Sequence, residues 1–218
     1  MNNLNKRIFT SLIVFPVSMF FIIKGGNYIV SFLYAILILA NFEAFSAFKR
    51  KTTIIFLDSI LVVSLLSILH LRNDTASSLI LLLWVIILTI SSDIGGYIFG
   101  KIFRWKSFTN ISPNKTLSGV IGSLIFSIFS ILLLGLVCKI LFQIDLSFFL
   151  KFKYFIIALI LSLSAQLGDL MVSYFKRLDK IKDTGKILPG HGGIFDRIDS
   201  LMLSIIAANI LYYLKLFP

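Results

Sequence analysis

Residues 76–103 read ASSLILLLWVIILTISSDIGGYIFGKIF. From Leu79 to Ile90 only Thr89 is polar, and a run of this kind, about 20 mostly apolar residues long, is a candidate membrane span. The stretch outlasts one plain span and carries Asp93, Gly95 and Gly96, so it is expected either to break there or to continue past the membrane surface. Working outward, six more apolar runs separated by short polar breaks fall at about Ile8 to Ile23, Tyr28 to Ala47, Thr53 to His70, Leu117 to Phe142, Lys153 to Phe175 and Arg197 to Leu216. The expected fold is therefore an all-α, polytopic integral membrane helical bundle of about seven transmembrane helices. Residues 1–90 form N-terminal transmembrane helices, and residues 91–218 form a region where apolar helices alternate with polar, glycine-rich loops.

Composition agrees. The chain has 218 residues, 58% apolar and 14% charged, against about 25% charged in a typical soluble domain. Its mean hydropathy is +0.97. A net charge of +11, from 21 Lys and Arg against 10 Asp and Glu, points in a membrane protein to anionic headgroups or phosphate-bearing substrates. Nucleic acid comes second and is not expected, because there is no polar domain on which to build a binding face. Cys138 alone forms no internal disulfide, and one Cys with His70 and His191 is too little for a zinc site of the usual kind. A metal here is held by oxygen. Met1 to Arg7 is basic, as in a signal peptide, but no small-residue cleavage site follows Ile23, so the first helix reads as retained. Lys6 and Arg7, Lys49 to Lys51, Lys101 to Lys115 and Lys176 to Arg197 fall on alternate connections, which places these loops in the cytoplasm.

Acids in an apolar span are functional candidates by default. Asp93 and Asp169 stand out. Ser173 and Lys176 follow Asp169 at helical spacing, with Arg177 almost on the same face. Alone, this pattern reads equally well as an acid paired within its own helix. Beyond it runs KDTGKILPGHGGIFDRIDS, residues 182–200. Its glycines can present successive N–H groups to an anion, and Asp196 and Asp199 share one face where the last helix begins, beside Arg197 and Ser200. Oxygen ligands from Asp169, Asp196 and Asp199 suit Mg2+, which takes one or two carboxylates and completes its shell with water and substrate phosphates. Lys176, Arg177, Lys182 and Arg197 would neutralise phosphate oxygens during transfer. His191 has two readings: it orients a phosphate or relays a proton, or it satisfies backbone groups in a tight turn. Ser112, Lys115, Thr116 and Ser118 precede another apolar helix and suit a second anion-binding helix start, or an ordinary capped return into the membrane.

The stretch Ser173 to Asp199, with SYFKR, KDTG and LPGHGGIFDRID, resembles the signature of the phosphatidate cytidylyltransferases, the CDP-diacylglycerol synthases. Gln166 to Asp169, Ser92 to Tyr97 and Ile111 to Thr116 resemble further blocks of that family. Val172, Ser118, Asn114 and Ser123 depart from it. The resemblance implies an enzyme of phospholipid biosynthesis in a bacterial inner membrane, its site facing the cytoplasm, that converts CTP and phosphatidate to CDP-diacylglycerol and pyrophosphate. It implies Mg2+, with room for a monovalent cation such as K+, and a homodimer. Asp169 and Asp196, with Asp199 beside them, become metal ligands. From the residues themselves, Lys176, Arg197 and His191 are the further catalytic candidates beside these aspartates, and Arg177, Lys182, Ser112, Lys115, Asp93 and Ser173 the candidate substrate contacts. The alternatives are a polyprenyl or dolichol phosphotransferase and an ion-coupled transporter with Asp93 and Asp169 as coupling sites.

Overall fold

A computed structural model describes residues 3–107, 109, 111–113, 115–142, 151–185, 187–190 and 192–217. Among these, seven helices follow one another: α1 (Asn3–Lys24), α2 (Gly26–Ala47), α3 (Lys51–Leu71), α4 (Ala76–Phe103), α5 (Leu117–Phe142), α6 (Phe152–Leu178) and α7 (Phe195–Tyr213). Five of them, α2 to α6, are long and apolar enough to cross a membrane, and Phe9–Lys24 is a shorter apolar helix. Large apolar side chains such as Leu12, Ile38, Phe42, Ile55 and Leu136 cover the outside. In water such a surface would aggregate; in lipid it is the solvated face.

Successive helices run in opposite directions, so the polar connections gather at two ends. One end carries the basic α2–α3, α4–α5 and α6–α7 connections and is called the basic end below. There the Lys49 N–H donates to Asp179 Oδ2 at 3.2 Å and Arg50 Nε lies 3.3 Å from Oδ1. At the opposite end the buried Arg72 donates through Nε to the Ile22 carbonyl at 3.0 Å and through Nη2 to Ile23 at 3.1 Å. Asp74 accepts the Gly26 N–H at 2.9 Å. These side chains satisfy the last carbonyls of α1 and a first amide of α2, groups that helix geometry leaves unpaired.

The fourth helix decides between the two courses expected of its run, continuing without a break. It is a single unbroken helix of 28 residues through Asp93, Gly95 and Gly96. The glycines serve close packing instead of a break: a Cβ on Gly95 would run into the Gly122 carbonyl, and one on Gly96 would come to 2.6 Å from Ser123 Oγ. Small residues let two helix backbones approach closely where lipid supplies no hydrophobic drive between them.

Buried positions on α6 recur every three or four residues: Ala158, Leu161, Ser162, Ala165, Gly168, Val172, Ser173 and Lys176. That stripe faces α7 and the centre. At Gly168 the two helices meet closely, since a Cβ there would overlap the Asp199 carbonyl. The contact sets the level of Asp169 against the first turn of α7.

Candidate active site

Three connections and two membrane helices build a polar cluster at the basic end. Thr116 caps the start of α5 by accepting the Gly119 N–H on its hydroxyl at 3.1 Å. Its neighbour Lys115 reaches across to Asp169, with Nζ 2.7 Å from Oδ2. Asp169 also accepts the Ser173 hydroxyl at 3.3 Å, one helical turn on. Asp93 and Asp199 stand close by, since the charge of Asp169 acts on both and that of Asp93 acts on Asp199. Ser200 links them: its hydroxyl donates to Asp93 Oδ2 at 2.9 Å, and its N–H donates to Asp199 Oδ1 at 2.9 Å.

Asp196 is held separately. Lys176 Nζ lies 2.7 Å from its Oδ1, in a pair whose side chains are 10% and 7% exposed. Its Oδ2 accepts the Thr184 N–H at 2.9 Å and the Gly193 N–H at 3.1 Å. The carboxylate thus ties the loop to the end of α6. Leu188 and Gly192 exchange both backbone hydrogen bonds, at 3.0 and 3.1 Å, closing the loop into a tight turn in which Gly192 takes φ +93°. That backbone region favours glycine.

A group absent from the sequence expectations organises this loop. Glu43 of α2 is 1% exposed. It accepts the Ile194 N–H at 2.7 Å and the Phe195 N–H at 3.2 Å, the first amides of α7, together with the Thr184 hydroxyl. That hydroxyl also lies 3.1 Å from Asp196 Oδ2. Glu43 therefore caps α7 and, through Thr184, abuts the Asp196 and Lys176 pair. The signal was present: Glu43 is the lone acid in the apolar run 28–47, and the cost of burying a charge that singles out Asp93 and Asp169 applies to it equally.

The expected residues thus separate into groups. Asp93, Asp169, Asp199, Ser173 and Lys115 come together, and Lys176 joins Asp196. Lys176 also acts electrostatically on Asp199. Arg177 donates to the Ile181 carbonyl at 3.0 Å, closing the end of α6, and Lys182 is exposed. Arg197 lies on the first turn of α7, and Ser112 is half-buried. His191 and Asn114 lie outside the described residues. No three His, Cys, Asp or Glu among the described residues stand close enough to hold one metal ion, so Asp169, Asp196 and Asp199 are not gathered about a single point.

In charge and donor chemistry, though not as a three-carboxylate cage, the region suits a divalent cation. Asp93, Asp169, Asp196 and Asp199 are four carboxylates facing two ammonium groups, Lys115 and Lys176, which leaves two negative charges when all are ionised. All these ligands are oxygen, and Mg2+ typically needs only one or two of them besides substrate phosphates.

A model of the cytidylyltransferase family matches residues 48–215. Over 136 residues the chain is 40% identical to a phosphatidate cytidylyltransferase of Staphylococcus haemolyticus, covering 60% of this chain and 48% of that protein. Over 144 residues it is 41% identical to one of Staphylococcus saprophyticus, covering 66% and 53%. A phosphatidate cytidylyltransferase of Helicobacter pylori is 39% identical over 139 residues, covering 62% and 48%. The chain spans about half the length of these curated relatives. With the family match running from the start of α3 to the end of α7 and over the whole polar cluster, the chain belongs to the cytidylyltransferase family.

Proposed function

We propose that this membrane protein is a phosphatidate cytidylyltransferase, joining CTP and phosphatidate into CDP-diacylglycerol and pyrophosphate. The observation that carries the reading is the convergence of Asp93, Asp169 and Asp199 with Lys115 where α4, α6 and the start of α7 meet. A phosphate oxygen of phosphatidate attacks the α-phosphorus of CTP. The bond from that phosphorus to the oxygen bridging to the β-phosphorus breaks, and pyrophosphate leaves with the electron pair. Phosphatidate is already an anion near neutral pH, so no strong base is required. Catalysis then rests on positioning and charge stabilisation.

Lys115, Lys176 and Arg197 supply positive charge to phosphate oxygens, and Ser173 steadies Asp169. Asp169 and Asp199 are the proposed Mg2+ ligands, as many carboxylates as that ion typically takes, with Asp93 adding negative charge nearby and Asp196 holding Lys176 and the loop; bound there, the ion would neutralise the triphosphate and the leaving pyrophosphate. The basic connections favour a site on the cytoplasmic side of a bacterial inner membrane. A dimer and a K+ requirement rest on the family resemblance alone, and are read by the mass of the protein in nanodiscs and by activity with choline replacing K+.

The test is purified protein in nanodiscs with labelled CTP and Mg2+. Labelled CDP-diacylglycerol from phosphatidate, with stoichiometric pyrophosphate, supports the reading. Label appearing only with polyprenyl phosphate, or ion flux in liposomes without any nucleotide requirement, overturns it.

A further inference from the structure

Beside the polar cluster lies a cavity of about 630 Å3, walled by α1, α2, α3, α4 and α7 and by Leu188 of the loop. Its wall is apolar except for a few hydroxyls and Arg197, the one charged residue lining it among the described residues. Arg197 stands at the basic end, between Asp196 and Ile198. The neighbouring Thr10 hydroxyl donates to the Pro189 carbonyl at 2.8 Å and fastens α1 onto the loop. From there the cavity runs along α1 to Ile22, where Ile22, Ile29 and Leu33, all buried, line its far end.

We infer that this cavity is the subsite for one acyl chain of the phosphate-bearing lipid substrate, with Arg197 at its mouth meeting the phosphate; this rests on the function proposed above. Length is the first support. Thr10 to Ile22 along a helix rising 1.5 Å per residue is about 18 Å, and one leaflet of a hydrocarbon core about 30 Å thick is about 15 Å deep. A lipid whose phosphate sits at the basic end therefore has its chain at the right depth. Charge is the second: a single guanidinium at one end of an apolar slot complements an anion carrying a hydrocarbon tail. Position is the third, because Arg197, Ile198, Leu201, Met202 and Ile205 line the slot from the same helix that carries Asp196 and Asp199. A chain seated there holds its headgroup beside the carboxylates.

The experiment fills the far end, away from the site. Ile68, on α3, lines that end. Ile68→Trp is expected to raise KM for dioleoyl phosphatidate about tenfold, with dioctanoyl phosphatidate and CTP both changed less than about twofold, since a short chain does not reach the obstruction. Equal changes for long and short chains overturn the subsite. A phosphatidate carrying a diazirine at the end of one acyl chain serves as a second probe on the unaltered protein. Cross-linking within residues 19–33, competed by phosphatidate but not by equal phosphatidylcholine, is the expected result. Equal competition by both means bulk lipid fills the slot and also overturns it. Because cross-linking needs no turnover, absence of product from every phosphatidate would instead strike the proposed reaction.

Discussion

The carboxylate of Glu43 accepts the Ile194 amide at 2.7 Å, joining positions 151 residues apart in the chain. Through that bond a side chain of α2 fixes where α7 starts. The family match begins at residue 48, so this anchor comes from outside the matched stretch. Three donors surround Glu43 and compensate the burial of its charge, as a buried carboxylate requires.

Glu43→Gln turns one acceptor oxygen into an NH2 group that faces an amide donor. A hydrogen bond to a charged group contributes about 1.5–3 kcal/mol, so the thermal midpoint in detergent should fall by the equivalent of that range. Product formation should drop at least about tenfold, corresponding to about 1.4 kcal/mol in the barrier. Unchanged stability and turnover would mean that the loop holds its shape without α2.

Asp196→Asn leaves Lys176 buried without its charge partner, at a cost of about 3–5 kcal/mol. The variant should still insert but form no CDP-diacylglycerol. Adding Lys176→Met removes the stranded charge and should restore much of the thermal midpoint without restoring activity. Recovery of both together would assign the pair to stability alone.

Gly168→Ala should push α6 from α7 at the level of Asp169, because the new Cβ meets the Asp199 carbonyl. Overpacking of this kind costs about 1–3 kcal/mol, and activity should fall by more than stability explains. Gly135→Ala is the control: a Cβ there meets nothing within 4 Å. Assays of both variants in the same membranes check the contrast.

Much of the bundle was legible in the sequence. Apolar runs ended by charge place α4 at Ala76 to Phe103 and α5 at Leu117 to Phe142, and the structure has the same limits. Hydropathy is local, so it reads well. The role of Gly95 is not local: whether a glycine breaks a helix or admits a neighbour depends on Gly122, which lies on the next helix. The candidate site divides the same way. Asp169 with Ser173 follows from helical spacing, while Lys115 on Asp169 and Glu43 on Ile194 depend on tertiary packing that spacing does not encode. Helical spacing put Lys176 beside Asp169, yet its ammonium turns to Asp196, where a second carboxylate is buried with it.

The most direct measurement is the Mg2+ dependence of CDP-diacylglycerol formation in nanodiscs, for the unaltered protein and for Asp169→Asn and Asp199→Asn. Chelation by EDTA should abolish product and added Mg2+ should restore it. Each substitution should either abolish turnover or raise the Mg2+ concentration for half-maximal rate at least about tenfold, a loss of about 1.4 kcal/mol in ion binding. Full activity in EDTA, or unaltered Mg2+ titrations for both variants, would contradict the assignment of these carboxylates to the transfer of the nucleotide.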